Sequence, residues 1–242
     1  MHLHLTPAGW VLCAVVPAAF GLAVALADGW APWAVLVVGL VAVGVVATAP
    51  ERARLAGLRE RAATHGWAYA PSGEDPCVSR VPPLDSPGTV RNLLRGRWRD
   101  RDVVAYERTH RTRRDPEDPD TERVHEFAVV AVAGRPAATF ALDPPPRRWL
   151  PPVPGTAPPT DFDARWTVLH GAGALTGAVR ERLLAPDARG LHVRCTDTHV
   201  VAVRPRPFDA DALERTLDLL CDLAALAEQP EQPEQPERGA GR

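Results

Sequence analysis

Two imidazoles and a thiol stand within eight residues in His192-Val-Arg-Cys195-Thr-Asp-Thr-His199. Such groups ligate zinc, or pair as thiol nucleophile and base. Strand alternation, however, puts His192 and Cys195 on opposite faces, and no second Cys/His pair lies nearby. An ordinary hairpin is the favoured reading over a metal site or a Cys195/His199 nucleophile pair. Asp161 and Asp163 form a second candidate. On a strand both carboxylates point the same way, an arrangement that does acid/base work when their pKa values are driven apart. Arg165 on that face would neutralise them, so the polar side of a half-buried strand is preferred. With His170, these groups make up the enzyme alternative, acting on a small-molecule or membrane-proximal substrate.

A third candidate is the arginine-rich stretch RNLLRGRWRDRDVVAYERTHRTRR, residues 91–114. Nucleic-acid surfaces need a basic excess that releases counterions. From Arg95 to Glu126 nine arginines meet nine acids, so the segment is neutral and no nucleic-acid partner is expected. Period-2 spacing makes it a hairpin, with a turn at 100–102 and with Arg95, Arg97 and Arg99 on one strand face. Near an anionic membrane leaflet each such arginine contributes about 1 kcal/mol. Those three are therefore the expected lipid-facing residues.

Absences narrow the chemistry. All 28 basic residues are arginine, and the chain has no lysine. Phosphate-loop lysines, kinase-type lysines and Schiff bases are excluded. Serine occurs only at Ser72, Ser79 and Ser86, outside any nucleophile elbow. The four cysteines (Cys13, Cys77, Cys195, Cys221) lack a C-x-x-C spacing and read as buried thiols. No catalytic residue, cofactor or metal is implied.

Two uncharged runs, Trp10–Ala27 and Trp30–Ala49, flank Asp28-Gly29. Each approaches the ~20 residues of a membrane-spanning helix, and Trp10, Trp30 and Trp33 sit near the ends. The arginines of PERARLAGLRER follow at once, which sets the expected orientation with both termini and the soluble domain in the cytoplasm, at the inner (plasma) membrane. A cleaved leader ending at Ala25-Leu26-Ala27 is disfavoured because its start lacks Lys and Arg.

The expected organisation is a cytoplasmic segment (1–9), a transmembrane helical hairpin (10–49), a juxtamembrane helix (50–66), an α+β domain (67–227) and a disordered Glu-Gln-Pro tail (228–242). Within the domain, strands are expected at 66–70, 94–99, 103–110, 124–133, 138–142 and 161–170. A helix follows over 171–185, then a hairpin over 191–204. A last helix begins at Asp209 as N-cap, with Phe208 and Leu213 as a hydrophobic staple. This order predicts an antiparallel twisted sheet with helices packed on one face. The stretches GWAYA (66–70), RGRWRDRDVVAYERTH (95–110), FDARWTV (162–168) and DADALERTLDLLCDLA (209–224) resemble a group of high-GC, actinobacterial-type membrane proteins. Those proteins have two N-terminal transmembrane helices, a small cytoplasmic α+β domain and no established activity. The resemblance implies architecture and little else; the leading functional expectation is a non-enzymatic, membrane-anchored interaction module for a protein or anionic-lipid partner. A structural subunit of a membrane complex is the further alternative.

Overall fold

A computed structural model describes residues 31–74, 76, 88–113, 122–145 and 160–229, with backbone only at 31–36, 38, 111–113 and 122–123. The first uncharged run, residues 77–87 and 146–159, and nearly all of the Glu-Gln-Pro tail lie outside these residues. The chain divides into two compact units between Glu60 and Arg61.

Helix α1 spans Ala31–Thr64 and contains Pro50. Val37, Leu40, Val41 and Val45 on it are more than half exposed. Among the described residues no helix is long and apolar enough to cross a membrane. Gly66 ends the helical stretch with φ +67, a left-handed conformation that glycine adopts without strain.

The second unit is α+β. Its strands are β1 (Ala68–Gly73), β2 (Thr89–Trp98), β3 (Arg101–Arg113), β4 (Glu122–Ala133), β5 (Phe140–Asp143), β6 (Thr167–His170), β7 (His192–Cys195) and β8 (His199–Arg204). They form one sheet in the order β1-β2-β3-β4-β8-β7-β5-β6. Every pairing is antiparallel. The apolar run in β4 explains its place near the centre: Ala128 to Val132 are all at most 2% exposed, so both faces are covered. Three helices join the sheet: α2 (Asp161–Arg165), α3 (Gly177–Leu183) and α4 (Ala210–Ala227).

The expected staple and cap of α4 are present. Asp209 accepts from the Ala212 N–H at 2.7 Å, and Phe208 and Leu213 are each 1% exposed. Leu213, Leu217, Leu220 and Ala224 are buried, and α4 packs on β4 and β8. Pairing in register places Val130, Val132, Val200 and Ala202 on one face of the sheet. The opposite face carries a second apolar cluster of Val90, Leu93, Tyr106, Val129, Ala131, Val201 and Val203.

Several expectations change. The turn of the first hairpin is Arg99-Asp100, not 100–102, and both residues have positive φ (45° and 64°). That two-residue turn matches the twist of the strands it joins, so β3 starts at Arg101. Arg99 therefore leaves the strand face of Arg95 and Arg97. Both strands beyond it run longer than expected, leaving 114–121 between β3 and β4. A bulge at Asn92 (φ 51°) shifts the β2–β3 register between Arg91 and Leu94. Gly96 lies beneath Trp67, where a Cβ would come within 2.0 Å of the ring, so glycine is required for that close approach.

Residues 161–165 are helical, not extended. The Thr160 hydroxyl oxygen accepts from the Asp163 N–H and caps the turn, while Asp161 and Asp163 suit its positive end. The expected helix over 171–185 is a 3₁₀ turn at Ala172–Ala174 followed by the short α3, capped by Thr176. Glu228 belongs to the fold, because both its oxygens hold Arg101 (2.7 and 2.8 Å).

Candidate functional site

The residues singled out by their chemistry do not converge. Asp161 and Asp163 are exposed in α2, and Asp163 is hydrogen-bonded to the Thr160 hydroxyl at 2.6 Å. His170 is exposed on β6, the outer strand of the sheet. Cys195 is 2% exposed. Burial, helped by Asp197, pushes its thiol up to about 12, so it stays a protonated thiol at neutral pH. His199 meets the Thr198 hydroxyl at 2.9 Å, and burial lowers its pKa. Register puts Cys195 level with Val200, so Cys195 and His199 fall on opposite faces. Among the described residues no group of three or more His, Cys, Asp or Glu side chains is arranged to hold a metal ion.

The arginine-rich hairpin is neutralised differently from the count along its own sequence. Arg99 reaches α4 and pairs with Asp218 and Asp222, each at 2.8 Å. Trp98 donates its indole N–H to Asp218 at 2.9 Å. Arg182 on α3 shares Asp222 at 2.8 Å and holds Asp187 through a two-pronged contact at 2.8 and 2.9 Å. Arg61 pairs with Glu214 at 2.5 Å and Asp211 at 3.0 Å. Thus Asp211, Glu214, Asp218 and Asp222 form an acidic stripe beside the apolar stripe of α4. That stripe was readable as a three- and four-residue spacing, and the sequence reading missed it. Arg95 and Arg97 remain exposed on the strand; Arg97 donates to the Asp100 carbonyl at 2.8 Å and approaches the Asp100 and Asp102 carboxylates at 4.0 and 3.8 Å.

The site with the most chemistry lies elsewhere. Asp143 at the end of β5 meets Nδ1 of His192 at 2.9 Å and the Arg194 guanidinium at 2.6 Å. Register explains the meeting, since β5 and β7 pair and Arg194, 4% exposed, lies level with Ala141. Arg194 also donates to the carbonyls of Leu142 (2.6 Å) and Val193 (3.0 Å). Burial works to raise the Asp143 pKa, but the hydrogen bonds from His192 and Arg194 outweigh it and hold the group ionised. An ionised carboxylate only accepts, so Nδ1 of His192 carries the hydrogen and Nε2 is left over.

His192 lines a cleft of about 850 Å³, together with Arg165, Arg189, Trp166 and Leu183. Prolines contribute much of the remaining wall, including Pro186 and Pro205. Trp166 and Leu183 are buried and joined, the indole N–H donating to the Leu183 carbonyl at 3.1 Å. Arg165 is braced at the end of α2 by a hydrogen bond to the Leu184 carbonyl. No Asp or Glu lines the cleft among the described residues. Sequence reasoning weighed His192 only as a metal ligand, set it aside in favour of an ordinary hairpin, and missed the cleft.

No protein-family model matches the chain, and no curated protein matches it. Among solved structures, the mycobacterial trehalose monomycolate transport factor A (TtfA) is similar at 15% identity and a TM-score of 0.47. The match covers 72% of this chain and 94% of that one. A likeness at this level carries no argument about function.

Proposed function

We propose that the protein is a membrane-anchored interaction module, with its α+β domain held at the inner face of the membrane. The observation that carries this reading is the dispersal of the reactive groups. Cys195 is sealed in the sheet, His170 and the Asp161/Asp163 pair stand apart from it, and the strand-and-helix core is filled. The anchor is supported by the two uncharged runs and by the exposed Val37, Leu40, Val41 and Val45 of α1. Arg95 and Arg97 are the arginines available to an anionic headgroup surface, whereas Arg99 is tied to α4.

Alkaline carbonate washing of membranes containing the full chain tests the anchor. Retention in the pellet is expected, and release into the supernatant would sink it. Purification from those membranes, with mass spectrometry of proteins and lipids, then identifies the partner. A chain recovered alone, with lipids no different from the bulk membrane, would contradict the module.

A further inference from the structure

The structure assigns a second binding site to the cleft beside the Asp143–His192 pair, and we propose that its ligand is a small anionic amphiphile, a phosphate or carboxylate head on an apolar body. This inference is independent of the membrane anchor.

The volume of about 850 Å³ falls within the range of small-molecule sites. Its wall divides chemically. The prolines, with Ala164 and Ala185, offer an apolar surface without hydrogen-bonding side chains, backed by the buried Trp166 and Leu183. Arg165 and Arg189 supply donors, and no lining residue supplies a carboxylate among those described.

Three neighbouring acids are engaged elsewhere. Asp143 holds His192 and Arg194, Asp163 holds Thr160, and Asp187 holds Arg182. Neither Arg165 nor Arg189 has a carboxylate partner among the described residues, whereas Arg61, Arg99, Arg101, Arg182 and Arg194 each have one. Arg165 spends one donor on Leu184, and a guanidinium has five. A phosphate or carboxylate fits such forks in the two-pronged manner that arginine favours. The apolar wall then requires a body beyond the head, which separates this ligand from a free inorganic anion.

Calorimetric titration of the full chain in phosphatidylcholine nanodiscs tests the assignment, with empty nanodiscs as the blank. The probes are hexyl phosphate, inorganic phosphate and hexanol. Hexyl phosphate is expected to bind one per chain, with inorganic phosphate and hexanol each weaker by about tenfold or more. The Arg165→Gln/Arg189→Gln double variant should lose about tenfold or more for hexyl phosphate. An Arg95→Gln/Arg97→Gln variant should bind hexyl phosphate as the parent does. No binding of hexyl phosphate, or equal binding by the cleft variant, overturns the site. Equal affinity for inorganic phosphate overturns the amphiphile and leaves a simple anion site in its place. A loss confined to the Arg95/Arg97 variant would move the anion to the strand face and overturn the cleft. Both cleft arginines are exposed, so an unchanged melting temperature is the expected sign of intact folding.

Discussion

Arginines at the α4 side of the domain and arginines at the cleft do different work with the same side chain. Along α4, every carboxylate of the acidic stripe is matched by a guanidinium from a distant segment: the end of α1, the β2–β3 turn or α3. At the cleft, Arg165 and Arg189 lack such partners among the described residues. In a chain without lysine, composition does not distinguish a clamp from a ligand-binding cation. Only the position of the carboxylates does.

The sharpest test of the contrast is Arg194, which bridges both regimes by fixing Asp143 from within the sheet. Arg194→Met should cost about 3 kcal/mol, because breaking a buried pair strands its partner and the Leu142 carbonyl. Urea unfolding measures it, and a loss below about 1 kcal/mol would show that the group is not structural. Next comes Arg182→Gln, which releases both Asp187 and Asp222. A loss of about 1–2 kcal/mol is expected by the same measurement.

Glu228 gives a pH signature. The Arg101 hydrogen bond, opposed by burial, lowers its carboxyl from 4.5 to about 2. A depressed folded-state pKa means the contribution is complete above pH 4.5 and is lost as pH falls through about 2. Glu228→Gln should flatten that acid-side loss while costing no more than about 1 kcal/mol at neutral pH. Thermal melts across the acid range check both. The smallest effect belongs to the cleft: Arg165→Gln and Arg189→Gln should each change stability by less than about 0.5 kcal/mol. A larger loss would erase the distinction between the two regions.

The legible parts of the fold were those governed by local rules. Asp209, Phe208 and the Leu213–Ala224 stripe specify α4 because cap, staple and period agree. The uninterrupted valines and alanines of β4 specify a central strand for the same reason. Segment 161–165 was ambiguous because Phe162 and Trp166 are four apart, a spacing that satisfies both a strand and a helix. The Thr160 cap settles it. The hairpin turn was misplaced because Arg99-Asp100 adopts positive φ without the glycine or asparagine that announces such turns. The cleft was hidden for a different reason. Arg165, Arg189 and His192 come from separate segments, and Asp143 beside them is held only by tertiary contacts.

The ends of the sheet also bear on how partners are met. Its outer strands, β1 and β6, are six and four residues long, and β1 contains Pro71, which has no N–H to donate. Short, interrupted borders are poor templates for an incoming extended peptide. Recognition by strand addition is thereby disfavoured, and so is stacking of neighbouring copies into fibrils.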